Sequence, residues 1–528
     1  MDAVAGLSLH TVYLAGVEPQ SYHEALRSSD AEKWQEAMDK EMASLKANDT
    51  WEDIPRDEQS ERALPCKWVY ALKRNELGEV IKYKARLVAR GDQQIAGLDY
   101  EETFSSTSRI EVLRLMIAFA AHHKFHLHQT DFVTAYLNGP LDKPINIKLP
   151  DGTKVRLVKG LYGLKQAGRC WKQTLDQALR RIGFEECPEA DGLYVMHAGD
   201  ISRMIILSIY VDDNVIACQN LKHLLQIKET MGKLFKMMDE GPLHYILGIR
   251  VEYDREAGKA FLSQTTYAEK FLDAMDMTQC RSVGRINMQY LKHGETSPLL
   301  PPKRAERFRS AVGQLSWLVR GTRPDLAYPY SRLSSCVNAP TELDYSNLVS
   351  LMKYLRGTTK LGIMLGGNEI VGYSDANWCG TPQDESISTS GYIFLMGGPI
   401  SWKSVKQRVV AHSSCESEYV ATNVAGREAY YLSKVMSFIM DTEPKPLTIY
   451  FDNRGAVLMT IERRDHEKSK HIQRIYDWIR LECREGRIQV KWIEGARQLA
   501  DMLTKVPALP LLRDNIKASG MMEHPVPE

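Results

Sequence analysis

The chain has 528 residues, 44% hydrophobic and 26% charged, with a formal net charge of +1. This length sets a prior of two to four domains, and the composition is ordinary for a soluble globular protein with real cores. No run approaches 18 consecutive apolar residues, which argues against a membrane span, and Met1-Asp2-Ala3-Val4-Ala5-Gly6 lacks the pattern of a secretory signal. The nine cysteines are scattered singly with no CxxC pair. That suits reduced thiols in a cytosolic or nuclear protein and argues against a zinc module.

Residues 1–20 show no periodicity and read as a loose leader. From Ser21 to Leu45 apolar residues recur at three- and four-residue spacing, which predicts one helix. Two strand-like runs between Cys66 and Arg90 flank Asn75-Glu76-Leu77-Gly78-Glu79, a hairpin turn. Arg62, Lys67, Lys73, Arg74, Lys82, Lys84, Arg86 and Arg90 face only Glu76 and Glu79 in that stretch. Such a patch suits phosphates, although a solvated hairpin face would look the same. A second basic stretch lies between Arg463 and Lys491.

An apolar helix follows over Ile110 to Ala121, then a strand from Phe125 to Asp131 and a helix from Leu164 to Ile182. His293 to Arg304 reads as a linker, with helices Ala305–Arg320 and Asp344–Arg356 after it. A second alternation begins near Ile370. It comprises strands Ile370–Ser374, Gly391–Met396 and Pro399–Lys403, the helix Cys415–Met440, and the strand Leu447–Phe451. Two helices, a strand Ile488–Ile493 and a last helix Gln498–Lys505 complete it. The tail after Pro507 looks irregular.

Tyr210-Val211-Asp212-Asp213 sit between two apolar arms, Met204 to Ile209 and Val215 to Cys218, and read as a hairpin tip. Adjacent carboxylates repel and need a shared cation. Magnesium suits them because it takes carboxylate oxygens and leaves positions for phosphate and water. Asp131, at the end of another strand, would complete a trio able to hold two ions that clamp an attacking hydroxyl and a leaving phosphate. Taken alone, Asp131 reads equally well as the N-cap of a helix over Val133–Leu137.

Several segments together resemble the reverse transcriptase and ribonuclease H part of a copia-type long-terminal-repeat retrotransposon polyprotein. They include Lys67-Trp68-Val69, the run from Tyr83 to Gly91, the run from Asp99 to Ser105, Thr130-Asp131 with Thr134 to Gly139, and Gly160 to Ala167. Tyr210 to Asp213, Leu243 to Ile249 and Thr322 to Ala327 follow in family order. The similarity runs over about residues 20 to 507. It implies a multidomain α+β and α/β chain, in which a right-hand polymerase fold of fingers, palm and thumb precedes a helical connection and a ribonuclease H-like mixed sheet. The implied boundaries are a leader 1–20, reverse transcriptase 21–292, connection 293–366, ribonuclease H-like domain 367–507 and tail 508–528.

The resemblance also implies roles. Asp131, Asp212 and Asp213 would hold two magnesium ions, with manganese as a substitute. Tyr136 would lie under the sugar and disfavour a ribose 2′-hydroxyl, unless it is a core aromatic. Gln166 would touch the incoming nucleotide and the template. Lys84 and Arg86 would meet the triphosphate of the dNTP, unless they touch the template without specificity. Leu262-Ser263-Gln264 would grip the primer terminus.

Four further acids match the ribonuclease H domain that this family carries: Asp375, Glu418, Asp452 and Asp501. Acids from two strand ends and two helix starts can converge at one sheet edge and hold two more ions. Glu416 and Glu418 lie about 200° apart around one helix, so only one can face the sheet. Glu418 precedes Tyr419-Val420-Ala421 as the family's catalytic glutamate does, whereas Glu416 suits a helix start. His471 would either assist product release or sit on a helix surface. His122, His123, His126 and His128 read as structural, because the first two precede the strand and point apart.

Departures from the family pattern at Gly168, Cys415 and Ser417 carry no chemistry, and all seven carboxylates are present. No protease-like or zinc-binding integrase-like motif occurs, which suits a carboxy-terminal fragment, a processed product or a truncated gene. The partners implied are an RNA template, a DNA primer-template, an RNA–DNA hybrid and dNTPs, with no membrane. A homodimer or association with other polyprotein products is compatible with this. The implied location is cytoplasmic, in a virus-like particle, with the nucleus as the alternative. A non-catalytic nucleic-acid-binding remnant is the other reading.

Overall fold

The computed structural model describes residues 18–55, 61–74, 80–105, 107–292, 295–378, 387–461 and 473–524. The turn 75–79 and His471 lie outside these. The chain divides into two compact units. One comprises residues 1–107, 132–184 and 231–237, and the other 108–131, 185–230 and 238–528.

In the first unit a five-stranded sheet runs in the order Trp51–Asp53, Lys154–Lys159, Pro140–Lys148, Leu64–Arg74, Val80–Ala89. Trp34 anchors one small core, with its ring edge-on to Tyr70 at 5.2 Å and Tyr83 at 4.8 Å. The helix expected over Ser21–Leu45 is instead two, Tyr22–Arg27 and Ala31–Ala47. Ser28 turns extended at ψ 162°, and its hydroxyl donates to the Ala25 carbonyl at 2.7 Å, which ends the first helix. Phe132, Trp171 and Phe235 meet edge to face at 5.0 to 5.7 Å and join the unit's separate chain segments.

The second unit holds three sheets. The first runs Met237–Pro242, His126–Phe132, Asp213–Cys218, Ile205–Tyr210, Leu193–Met196, Glu185–Glu186. The helix Ile110–His122 is buried at every position from Val112 to Ala121, and all of those residues except Arg114 are apolar. The second sheet joins Tyr245–Ile246, Ile249–Asp254, Lys259–Ser263, Leu361–Leu365 and Met521–Glu523. The third runs Pro399–Lys406, Thr389–Leu395, Val371–Asn377, Leu447–Phe451, Ile488–Trp492. Its first three strands are antiparallel and its last three parallel, so it is mixed. The helix Ser414–Met440 packs on it, and one continuous apolar core runs through the unit. The architecture is thus mixed α/β, as expected. No helix among the described residues is long and apolar enough to cross a membrane.

Two expectations near the carboxy terminus fail. The region after Pro507 is ordered: a helix Leu509–Ala518 with proline in its first turn precedes the strand Met521–Glu523, which pairs with Leu361–Leu365. Burial of Leu512, Asn515 and Met521 holds the segment down, although its apolar residues are too few for a visible period. The helix expected over Gln498–Lys505 is only a 3-10 turn, Leu499–Leu503. The Gln498 side chain accepts from the Ala500 amide at 3.2 Å and donates to the Ser374 carbonyl at 2.9 Å, which caps the short turn and ties its start to the strand Val371–Asn377.

Candidate active sites

The first acid cluster is a product of strand register. Asp213 lies opposite Asp131 in the antiparallel ladder between Asp213–Cys218 and His126–Phe132, which brings their Cα atoms to about 5 Å. Asp213 also pairs with Tyr210, so Val211 and Asp212 form a two-residue hairpin loop. Val211 adopts φ +64°, a left-handed conformation that costs a β-branched residue roughly 1–3 kcal/mol. The Asn214 amide donates to the Asp212 carbonyl at 2.9 Å and to the Thr130 carbonyl at 3.3 Å, tying the tip to the neighbouring strand. All three acids are half-buried. Asp131 is inside a strand, and the next 3-10 turn begins only at Ala135. The N-cap reading of Asp131 therefore fails.

Lys84, Arg86, Tyr136 and Gln166 belong to the first unit and the acid trio to the second. Lys84 and Arg86 share one face of Val80–Ala89. The Arg86 guanidinium lies 4.4 Å from the centre of the Tyr162 ring, which meets Tyr136 edge-on at 5.2 Å. Arg86, Tyr162 and Tyr136 thus form one half-buried aromatic and cationic cluster. Gln166 is buried. Its amide donates to the Asp99 carbonyl at 3.0 Å and its carbonyl accepts from Gln94 at 3.0 Å.

Leu262, Ser263 and Gln264 are all buried. Gln264 accepts from Thr322 at 3.1 Å and donates to the Trp317 carbonyl, so these side chains face the protein interior. His128 lies 3.0 Å from the buried Lys228. Burial, and then that ammonium, lower the His128 pKa.

The second cluster gathers acids from four separate segments. Asp375 lies in the strand Val371–Asn377, and Asp452 follows Leu447–Phe451, its parallel neighbour. Asp501 lies in the 3-10 turn and Glu418 in the first turns of Ser414–Met440. Carboxylate oxygens of Asp375, Asp452 and Asp501 all lie within 4.8 Å of one another. Burial, then Asp375 and Asp452, push the Glu418 carboxyl well above its usual range. Burial and then Asp375 raise Asp452 likewise, and raise Asp501 to about 6. Like charges gathered in a dry site favour protonation. One Glu418 oxygen, Oε2, is buried without a hydrogen-bond partner. This donor set, all hard oxygens with one unsatisfied, fits a divalent cation such as magnesium.

Glu416 behaves differently. Its carboxylate accepts from the His412 amide at 2.7 Å, while Ser413 caps the same helix by accepting from the Glu416 amide. It serves the helix start. Two neighbours of the acids escaped the sequence reading. The Thr504 hydroxyl donates to Asp375, and the Lys505 ammonium lies 2.8 Å from Asp501 and 3.9 Å from Asp375. Burial works against that ammonium, but Asp375 and Asp501 outweigh it and raise its pKa. The four-residue spacing of Asp501 and Lys505 was the available signal. Gly391 lies opposite Asp375, and a Cβ there would come within 2.8 Å of Leu503 and Thr504. Only glycine lets the acid-bearing turn settle onto the strand.

The family described as reverse transcriptase (RNA-dependent DNA polymerase) matches residues 48–288. The Pol polyprotein from transposon TNT 1-94 of Nicotiana tabacum is 32% identical over 93% of this chain and 38% of its own length. That from transposon RE1 of Arabidopsis thaliana is 32% identical over 94% of the chain and 34% of its own length. The chain therefore spans about a third of these polyproteins. A transposon Ty5-1 protein of Saccharomyces cerevisiae is 30% identical over 56% of this chain and 98% of its own length. A solved foamy viral protease-reverse transcriptase in complex with dsDNA superposes with a TM-score of only 0.46 at 12% identity, over 88% of this chain and 83% of its own, so sequence alone carries the assignment. On that ground, the chain belongs to the reverse transcriptase family of copia-type retrotransposon Pol polyproteins.

Proposed function

We propose that the chain is an RNA-directed and DNA-directed DNA polymerase that also hydrolyses the RNA strand of RNA–DNA hybrids, at two separate sites. The observation that carries the polymerase reading is the pairing of Asp131 with Asp213 beside the Asp212 tip. Residues 21–292 would supply the polymerase, 293–366 the connection and 367–507 the nuclease. Magnesium, held by Asp131, Asp212 and Asp213 at one site and by Asp375, Glu418, Asp452 and Asp501 at the other, would supply activation of the attacking oxygen and neutralisation of the leaving one.

The protein's own groups do the positioning. The strained Val211 turn and the Asn214 amide aim the Asp212-Asp213 pair. Lys84 and Arg86 would meet the triphosphate of the incoming dNTP. Tyr136, braced by Tyr162, would lie under its sugar and exclude a 2′-hydroxyl. Gln166, held by its bonds to the Asp99 carbonyl and the Gln94 amide, would touch the incoming nucleotide and the template. In the nuclease, Thr504 and Lys505 would hold Asp375 and Asp501 in place until the phosphodiester arrives. Recognition would be of backbone and hybrid shape rather than base sequence.

The test is a magnesium-dependent primer-extension assay on RNA and DNA templates, run beside a hybrid-cleavage assay with the purified protein. Both activities are expected. Neither extension nor cleavage would instead mark a nucleic-acid-binding remnant.

A further inference from the structure

The polymerase hairpin and the nuclease helix belong to the same compact unit, and two arginines of one short stretch tie them together. Arg114, on Ile110–His122, is 1% exposed. Its guanidinium donates to the Ile400 carbonyl at 2.7 Å, to the Gly321 carbonyl at 2.8 Å and to the Arg320 carbonyl. It also lies 3.8 Å from the centre of the Trp402 ring. Those acceptors belong to the edge strand of the nuclease sheet and to the carboxy end of the helix Pro302–Gly321. The latter is the negative end of that helix and suits a cation. Trp402 in turn donates to the Val319 carbonyl at 2.8 Å. Burying an unpaired cation costs several kcal/mol, so Arg114 holds these three segments in one arrangement.

Arg109, just before the same helix, donates to both oxygens of Glu428 at 3.1 Å and stacks on Tyr431 at 4.3 Å. Glu428 is buried, accepts also from Ser401 at 2.7 Å, and lies on the helix that carries Glu418. The Arg109 carbonyl accepts from the Tyr210 hydroxyl at 2.7 Å. Tyr210 is the hairpin residue paired with Asp213. An unbroken path therefore runs from Asp213 through Tyr210, Arg109 and Glu428 to the nuclease helix, through strands, helices and charge-assisted hydrogen bonds.

We propose that Arg109, Arg114 and Glu428 are positioning residues that hold the two acid clusters at a fixed spacing, so that a hybrid is cut in a fixed register behind the primer terminus. This rests on the polymerase and nuclease reading above. A rigid spacer between two sites on one duplex converts distance into a number of base pairs, whereas a loose one blurs it.

The test maps cut positions on an end-labelled hybrid with a recessed primer, together with hydrogen exchange of segments 205–218 and 414–440. Wild-type protein is expected to cut in a narrow window. Glu428→Gln and Arg109→Lys are expected to widen the spread of cuts at least about twofold, with total cleavage and extension within about threefold, and to raise exchange in both segments. Arg114→Lys, which keeps the charge but not the three-carbonyl geometry, should do the same. A wild-type enzyme active at both sites but cutting without register overturns the clamp and leaves the function intact. So does a register and exchange unchanged in all three variants. If the wild type shows no activity the functional reading fails, and unchanged exchange in the variants still sinks the clamp.

Discussion

The two acid clusters of the second unit are assembled by opposite routes. In the hairpin, one ladder places Asp131 against Asp213, and a single strained turn adds Asp212. The acids are half-buried and arise almost entirely from local register. In the mixed sheet, Asp375, Glu418, Asp452 and Asp501 come from four segments, and Thr504, whose hydroxyl reaches Asp375, stands 129 residues from it. Burial and mutual repulsion raise three of those carboxyls. The hairpin holds its charges half-buried at the cost of backbone strain. The sheet holds them inside, and the surrounding core bears the electrostatic cost.

The largest expected effect separates the two sites. Asp212→Asn with Asp213→Asn should lower primer extension at least roughly a hundredfold, since even outer-shell partners of a metal cost 10–100-fold, and leave hybrid cleavage within about threefold. Loss of cleavage in a folded double mutant would show that the clusters are not independent. Asp375→Asn should do the reverse. It should also raise the melting temperature in EDTA by relieving repulsion, and abolish the gain that magnesium brings to the wild type by binding the folded state.

A smaller effect is pH dependence. Asp501 has a folded pKa of about 6, above its ordinary value of 3.8, and Asp452 and Glu418 are raised as well. Between those values the folded state binds more protons than the unfolded one, so stability falls as pH rises. Without divalent ions, melting temperature should decline from about pH 4 through pH 6, and Asp501→Asn should flatten that decline. A flat wild-type profile would mean the acids of the mixed sheet do not repel as the geometry requires.

The finest distinction lies between two neighbours on one helix. Glu418→Gln should abolish cleavage, whereas Glu416→Gln should keep it and cost only the charge at the helix start, about 0.3–1 kcal/mol in thermal unfolding. Equal loss in both would undo the assignment of Glu418 to the site.

Much of this was legible in the residues. The helix expected from Ile110 to Ala121 is found over Ile110–His122, and the strand Leu447–Phe451 is found as expected. The hairpin arms flanking Asp212 and Asp213 are found as strands too. Each is a long apolar run or a clean change of period, where local preference and burial agree. The failures lie where they disagree. Ser28 breaks a pattern whose apolar spacing continues on both sides. Gln498 ties the start of the last segment to the distant Ser374 carbonyl, and Asp501 lies on a 3-10 turn rather than a helix. The strand Met521–Glu523 exists only because Leu361–Leu365 offers it an edge.

By itself the sequence determined the family and the acid pair at the hairpin tip, because strand alternation and turn chemistry act over a few neighbouring residues. Only the tertiary structure decided that Asp375, Asp452 and Asp501 lie within 4.8 Å with Lys505 beside them. It alone decided that Arg109 reaches Glu428 from 319 residues away. Those contacts join segments whose separation no local preference can encode. They persist because a shared apolar core overcomes the repulsion and desolvation that bringing such groups together costs.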